Sequence, residues 1–239
     1  MDVILVLAFL ILVSESKKLP DNFKICDHFA PEVNTCLKEA VQSALIQLKD
    51  GIPEIDEPPL EPLKAPNVTL NGNLFNITLA DVTVYNLYKS TVEDVDANIT
   101  HESIDASLSV SNEEVVIKFV YSVKGEVLLI KLDGGGTGSL TFKNSTLHGK
   151  MKAGVIEKDG KHFHFDSFST EIVPNLITYN FENFIDKQTQ INYEINAVLN
   201  ENWKVLFNEV RVEVENIISS VLMEHANNIL LYVPIEKEN

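Results

Sequence analysis

The sequence has little cysteine, little positive charge and no long apolar stretch. Cysteine occurs twice in 239 residues, at Cys26 and Cys36. Lysine and arginine number 19 against 35 aspartate and glutamate residues, which gives a formal net charge of −16. A surface with this charge repels nucleic acid and anionic lipid head groups. The composition therefore argues against nucleic-acid partners and predicts a chain that stays dissolved without aggregating.

The longest uninterrupted apolar run, Val3–Val13, covers eleven residues and is too short to span a bilayer. Its length suits the core of a secretory signal, and Ser14 and Ser16 supply small residues for cleavage before Lys17. We therefore predict a signal peptide over residues 1–16, one domain over residues 17–239, a secreted product and no integral membrane association.

Four Asn-x-Thr sequons support a route through the secretory pathway, since this motif accepts N-linked glycans there. They begin at Asn67, Asn76, Asn98 and Asn144. In an oxidising compartment Cys26 and Cys36 are expected to form a disulfide that contributes about 3 kcal/mol. A metal or redox pair is the alternative, and the absence of CxxC spacing disfavours it.

A short amphipathic helix is predicted to begin between the two cysteines, so that the pair pins its start. Apolar residues recur at helical spacing from Val33 to Leu48, and Gly51 and Pro53 end the pattern. Five prolines then occur between Pro53 and Pro66. Because proline restricts itself and the residue before it, residues 52–66 are expected to form a stiff, extended strap across the structure beneath.

The middle of the chain predicts antiparallel sheet. Apolar and polar residues alternate over 104–110, 115–122, 128–132 and 162–166. Turn signals separate these segments, at Lys124-Gly125, Asp133–Gly138 and Asp159-Gly160. Strands with one apolar face each must curl around another element to bury it.

The C-terminal third predicts that element. Residues 190–232 contain neither glycine nor proline and carry an apolar stripe at helical spacing, with a possible bend at Val210–Val214. One helix of that length would extend roughly 60 Å, too long for a compact bundle. A coiled coil is the alternative, but the spacing departs from strict heptads. We therefore predict an α+β fold in which a strongly curved antiparallel sheet wraps one long C-terminal helix.

Two segments carry a family resemblance. Gly51–Leu63 reads GIPEIDEPPLEPL and Leu199–Trp203 reads LNENW, with Gly134–Gly136 between them. In this order they resemble the insect takeout and haemolymph juvenile-hormone-binding family. The single cysteine pair resembles the takeout branch more than the juvenile-hormone carriers. The resemblance implies a tubular lipid-binding (TULIP-like) fold with an internal apolar tunnel, and carriage of a small lipophile such as a terpenoid or fatty-acid derivative in haemolymph or another extracellular fluid.

Ligand-binding residues are expected on three elements that would face such a tunnel. Tyr121 and Trp203 combine an apolar body with one hydrogen-bond donor, so they are the expected polar contacts. The predicted lining is Leu37, Val41 and Leu45 on the first helix, Phe119 and Tyr121 on a strand, and Leu199, Trp203 and Phe207 on the long helix. Ordinary core packing is the alternative for each, since core and lining share one composition.

The sequence offers no convincing catalytic or metal site. The glycines of Asp133–Gly138 lack the Gly-Lys-Ser/Thr of a phosphate loop and are expected in a turn or bulge. His162 and His164 are expected on a solvated strand face, and His225 in the core. A serine elbow and a free thiol are both missing. We therefore predict no enzyme, no cofactor and no metal. A secreted hydrolase and an interaction scaffold for an extracellular receptor or carrier partner remain alternatives.

Overall fold

The computed structural model describes residues 17–73, 75–127, 130–182 and 189–235, with side chains described except at 127, 130–132 and 189–191. The predicted signal peptide lies outside the described residues. The described chain forms three α-helices and eight β-strands. They are α1 (Val33–Gln47), β1 (Leu63–Lys64), β2 (Val68–Asn71), β3 (Phe75–Tyr85), β4 (Thr91–Ile99), β5 (Ser103–Val127), β6 (Ile130–Glu157), β7 (Lys161–Val173), β8 (Leu176–Phe181), α2 (Thr189–Glu201) and α3 (Trp203–Leu230).

The first helix lies where the sequence predicts it. A 3-10 turn over Leu48–Asp50 continues α1, and Gly51 then ends the helical segment with a φ of +79°. A Cβ at Gly51 would lie 2.6 Å from the carbonyl oxygen of Glu57. Only glycine fits here, because the strap folds back onto this position.

The predicted disulfide between Cys26 and Cys36 is confirmed. It joins the segment before α1 to the first turn of the helix, and Cys26 is buried. The α1 helix itself has no fully buried residue. Covalent linkage therefore compensates for the small apolar area that this end of the chain buries.

Replacing both cysteines with serine should lower the free energy of unfolding by about 2–4 kcal/mol, since the unfolded chain regains the freedom that the cross-link removes. Urea denaturation of the oxidised wild type and the C26S/C36S variant measures the difference. Wild type in reducing buffer is the control and should unfold at the midpoint of the variant. Equal midpoints for the oxidised wild type and the variant would contradict the expectation.

A long hairpin of β5 and β6 organises the sheet. The two strands contain 25 and 28 residues and pair antiparallel from Val127 opposite Ile130 to Ser103 opposite Gly154. Strands β3 and β8 pair with the half nearest the turn, whereas β4 and β7 pair with the far half. Strands β1 and β2 extend the sheet beyond β3. At about 3.3 Å per residue, the hairpin is long enough to accompany a helix along its full length.

The sheet wraps the C-terminal helix, as predicted. Helix α3 packs against β7 and β8 and also against β2. One helix can contact all three strands only if the sheet curves around it. The predicted α+β architecture is thereby confirmed.

The long helix is divided at a different place from the predicted one. Helix α2 ends at Glu201 and α3 begins at Trp203, so the break lies at Asn202. The side-chain amide of Asn202 donates to the carbonyl oxygen of Val198 at 2.9 Å. This local hydrogen bond competes with continuation of the helix. The expected bend at Val210–Val214 is wrong, since α3 runs through these residues without interruption.

The glycine-rich segment Asp133–Gly138 lies inside β6, so the expectation of a turn or bulge is wrong. Gly135 pairs with Ser122 and Gly138 with Phe119 in unbroken register. A Cβ at Gly138 would lie 2.6 Å from the ring of Phe119. Glycine is required here because a neighbouring aromatic ring fills the space that a side chain would occupy.

His162 is buried, so its expected place on a solvated face is wrong. The C-terminal segment covers this end of β7, where His162 bridges to Pro234 and its Nδ1 lies 3.1 Å from the carbonyl oxygen of Val233. His164 remains partly exposed beside Asp166. The strand pattern alone could not show that another segment covers its polar face.

Three asparagines join the helices to the edge strands β7 and β8. Asn196 binds both backbone groups of Phe181, at 2.9 and 2.8 Å. Asn200 binds those of Tyr179, and Asn227 binds those of Phe165. Each side-chain amide satisfies an N–H and a C=O that a further strand would otherwise pair, which closes this side of the roll.

Candidate ligand cavity

An apolar cavity of about 170 Å³ lies between the inner face of the sheet and the N-terminal half of α3. Strands β2, β3, β5, β6 and β8 form one wall, and α2 and α3 form the other. The described lining consists of Ala65, Val68, Leu70, Phe75, Ile77, Leu79, Val82, Val84, Ile117, Phe119, Val123, Leu140, Phe142, Tyr179, Phe181, Leu199, Leu206, Phe207, Val210, Val214, Ile217 and Ile218.

The size and lining suit an apolar guest. An apolar cavity of about 150 Å³ in another protein stays free of water and accepts benzene. The present cavity is slightly larger, and Tyr179 is the one residue with a polar side-chain atom among the described residues that line it. Apolar contact therefore supplies the main attraction that such a site can offer.

Three of the predicted ligand-binding residues line this cavity. Phe119 projects from β5, Leu199 from α2 and Phe207 from α3, and all three are buried. Phe119 packs 5.8 Å from Phe181, measured between ring centroids. The structure thus brings together residues separated by up to 88 positions in the sequence.

Tyr121 and Trp203, the predicted polar contacts, do not line the cavity. Tyr121 is buried beside it, and its hydroxyl donates to the carbonyl oxygen of Glu182 at 2.9 Å. Burial, aided by the charge of Glu182, raises the pKa of Tyr121 to about 12. Trp203 packs against a neighbouring cluster that includes Phe142 and Phe207. Neither residue is therefore part of the described wall of the cavity.

Leu37, Val41 and Leu45 also lie away from the cavity. Helix α1 packs against β4, and its apolar residues are only half buried. Leu45 contacts a separate cluster, the end core, formed by Leu19, Leu48, Ile52, Ile55, Leu60 and Leu63. The strap supplies four of these six residues. The first helix and the strap thus cover a filled end of the roll.

A buried polar pair ties the strap to α3 at the end core. The Glu57 side chain is 1% exposed and one of its carboxylate oxygens, Oε1, binds Nδ1 of His225. Its other oxygen, Oε2, is buried without a hydrogen-bond partner among the described residues. The expectation that His225 is a core residue is confirmed, and its partner was not foreseen.

Tyr179 is the functional candidate that sequence reasoning missed. It shares the inner face of β8 with Ile177 and Phe181, and its ring stacks on that of Phe181 at 6.2 Å between centroids. Burial raises the pKa of the Tyr179 phenol well above its usual range. The alternation of side chains over Leu176–Phe181 is the sequence pattern that could have indicated a strand with Tyr179 on its inner face.

A curved sheet that encloses a long helix and an apolar cavity defines a binding protein for small hydrophobic molecules. The sequence profile described as haemolymph juvenile hormone binding protein matches residues 4–237. The chain therefore belongs to that family, which consists of binding proteins rather than enzymes and whose members are typically secreted.

Individual relatives are distant. The circadian clock-controlled protein daywake of Drosophila melanogaster is 20% identical over 94% of this chain and 90% of its own length. The "Putative beta-carotene-binding protein" of Schistocerca gregaria is 24% identical over 65% of this chain, and the match spans 63% of that relative. The crystal structure of Takeout 1 of Epiphyas postvittana has a TM-score of 0.76 at 18% identity, covering 85% of this chain and 94% of its own. This likeness supports the fold.

Membrane-spanning helices and metal-binding clusters are both absent from the described part of the chain. Its helices include none with the length and hydropathy needed to cross a bilayer. Its histidine, cysteine, aspartate and glutamate side chains form no group of three or more placed to bind a metal ion.

Proposed function

We propose that this protein carries a small lipophilic molecule, terpenoid, juvenile-hormone-like or fatty-acid-like, in the cavity beside α3. The observation that carries the proposal is the apolar wall on which Phe119, Leu199 and Phe207 meet. No bond is made or broken, because the site works by removing the ligand from water. The Schistocerca relative is named "Putative beta-carotene-binding protein", which supports an apolar ligand.

The energetics set a lower limit on ligand size. Micromolar affinity corresponds to about 8 kcal/mol. A buried methylene group contributes about 0.8 kcal/mol, so roughly ten such groups are needed before binding costs are counted. We therefore expect a ligand with about ten or more carbon atoms, for which the lining side chains of the 170 Å³ cavity must move apart.

Native mass spectrometry of the protein purified from extracellular medium tests the proposal. We expect one adduct per chain, released by organic extraction and identified as a lipophile. The extracted protein should then bind an apolar fluorescent probe such as phenylnaphthylamine. A measured mass equal to that of the protein without any adduct, together with no binding of the probe, would contradict the carrier function.

Secretion and glycosylation form part of the proposal. All four sequon asparagines, Asn67, Asn76, Asn98 and Asn144, are exposed, as attachment of glycans requires. After expression in insect cells we expect a secreted chain that begins near Lys17 and loses mass on glycosidase treatment. A chain that stays inside the cells and still begins at Met1 would contradict the proposed secretion. The proposal also includes a partner outside the cell, an extracellular receptor or a second carrier, that receives the ligand from the secreted protein.

A further inference from the structure

An open polar hollow of about 480 Å³ lies on the outer face of the sheet, over the far half of the β5–β6 hairpin. Met151 and Ala153 on β6 are buried, so the alternating Lys150 and Lys152 point outward. The hollow is therefore on the opposite face of the sheet from the ligand cavity. Its described lining consists of Asp96, Asp105, Ala106, Ser107, Lys150, Met151, Lys152, Ser167 and Ser169.

The strand register arranges the polar side chains of the hollow in two rows across four strands. Written from β4 to β7, the first row is Asp96, Ser107, Lys150 and Ser169, and the second is Asn98, Asp105, Lys152 and Ser167. Seven of these eight positions line the hollow. The eighth is Asn98, an exposed sequon asparagine at the β4 end of the second row. A glycan on Asn98 would therefore begin directly beside the hollow.

The hollow carries the groups that bind sugars. Its lining includes two aspartates, two lysines and three serines, so its charges cancel within a strongly acidic chain. Carboxylates accept hydrogen bonds from sugar hydroxyls, whereas ammonium groups and serine hydroxyls can donate to sugar oxygens. A polar surface without net charge suits a neutral molecule with many hydroxyl groups better than it suits an ion.

Several of these groups are available for binding. The side chains of Ser107, Lys150 and Ser167 form no hydrogen bond or ion pair within the described part of the chain. Asp105 and Lys152 form an ion pair at 3.3 Å, but their side chains are 67% and 70% exposed. An exposed pair of this kind contributes little, so both groups can also bind a sugar at small cost.

We propose that the N-linked glycan of Asn98 folds back onto this hollow and that its first sugars bind there across β5 and β6. The proposal rests on the secretion and glycosylation proposed above, and it assigns a binding surface to one of the four glycans. Adjacent strands lie about 4.8 Å apart, so the row from Asn98 to β7 extends roughly 14 Å. The core of an N-linked glycan is long enough to cover this distance.

Covalent attachment makes weak contacts sufficient. A glycan tethered at Asn98 is present at a high effective concentration over the hollow. A free saccharide would lose its translational freedom on binding, so we expect it to bind this surface much more weakly. The bound glycan would connect the edge strand β4 to β7 across the two strands between them.

Site-specific release of glycans from the intact protein, secreted by insect cells, tests the proposal. Under native conditions a peptide N-glycosidase should release the Asn98 glycan about tenfold more slowly than the Asn67 glycan. Asn67 is the comparison because it is exposed between β1 and β2, outside both rows. The difference should disappear after denaturation, and mass spectrometry of the glycopeptides measures both rates in one sample.

Ser107→Ala combined with Lys150→Ala removes two unpaired groups of the hollow and leaves the sequon intact. This variant should accelerate release at Asn98 about three- to tenfold. Ser122→Ala combined with Lys124→Ala is the matched control, since both side chains are exposed on the near half of β5. It should leave the rate at Asn98 unchanged. Urea denaturation should give both variants the wild-type midpoint, because all four side chains lie at the surface.

The outcomes separate this proposal from the proposed secretion and carrier function. Release at Asn98 as fast as at Asn67 in the native wild type would overturn it, and so would an unoccupied Asn98 beside occupied sequons. Slow release that Ser107→Ala/Lys150→Ala leaves unchanged would assign the protection to the strand and overturn it as well. A chain without any glycan that stays inside the cells would overturn the proposed secretion and this inference together. Binding of phenylnaphthylamine tests the carrier function independently of each result.

Discussion

Replacing His225 with alanine should lower the free energy of unfolding by about 3–5 kcal/mol, the cost of leaving a buried charged group without its partner. Glu57 is almost fully enclosed, and Oε2 already lacks a partner among the described residues. Loss of the imidazole would remove the bond at Oε1 as well. Urea denaturation monitored by far-ultraviolet circular dichroism measures the change.

Two variants make this expectation specific. His164→Ala removes a partly exposed histidine 4.0 Å from Asp166, and should change stability by less than about 0.5 kcal/mol. Replacing Glu57 and His225 together by methionine and leucine should recover most of the loss, because no buried polar group remains unpaired. Equal effects of His225→Ala and His164→Ala would show that the pair contributes nothing.

Replacing Val214 with tryptophan should reduce the affinity for phenylnaphthylamine at least about hundredfold. Val214 lies on the cavity face of α3 and contacts two of the apolar clusters around it. An indole ring there would occupy the space that the ligand needs. Because it fills a void, the free energy of unfolding of the empty protein should stay within about 1 kcal/mol or rise. Probe titration and urea denaturation measure the two quantities.

Val212→Trp is the matched control. Val212 lies on the same helix two residues earlier and is 64% exposed, so a ring there points away from the cavity. Its affinity for the probe should equal that of the wild type. Wild-type affinity in Val214→Trp, or equal losses in the two variants, would place the ligand elsewhere.

The elements that were predictable from sequence are those set by local patterns. Helix α1, the end of its helical segment at Gly51 and the one-sided strands follow from periodicity and from glycine and proline positions, which act over a few residues. The disulfide between Cys26 and Cys36 was predictable because the chain has only two cysteines and the predicted secretory route is oxidising. The enclosing sheet followed from the length of the C-terminal apolar stripe.

The errors arose where distant residues decide the local structure. Gly138 lies in a strand because β6 pairs with β5, and the register of that pairing places the ring of Phe119 where a side chain at 138 would lie. His162 is buried because the chain returns to β7 at Pro234. No pattern near either residue contains that information.

The candidate site was predictable only in part for the same reason. Filled core and empty cavity have the same apolar composition, so sequence cannot show which end of the roll stays open. Leu60 and Leu63 of the strap fill the end beside α1, which leaves Leu37, Val41 and Leu45 away from the cavity. The lining from β2, β3 and β8 becomes apparent only once the strands are paired.

Photo-crosslinking with a long-chain alkyl diazirine tests the central claim most directly, because it labels the residues that contact a bound lipophile. Peptides analysed by mass spectrometry should carry the label around Phe119 on β5 and around Phe207 and Val214 on α3, and excess phenylnaphthylamine should suppress it. Labelling confined to Leu37–Leu45 on α1, or insensitive to the competitor, would contradict a ligand site in this cavity.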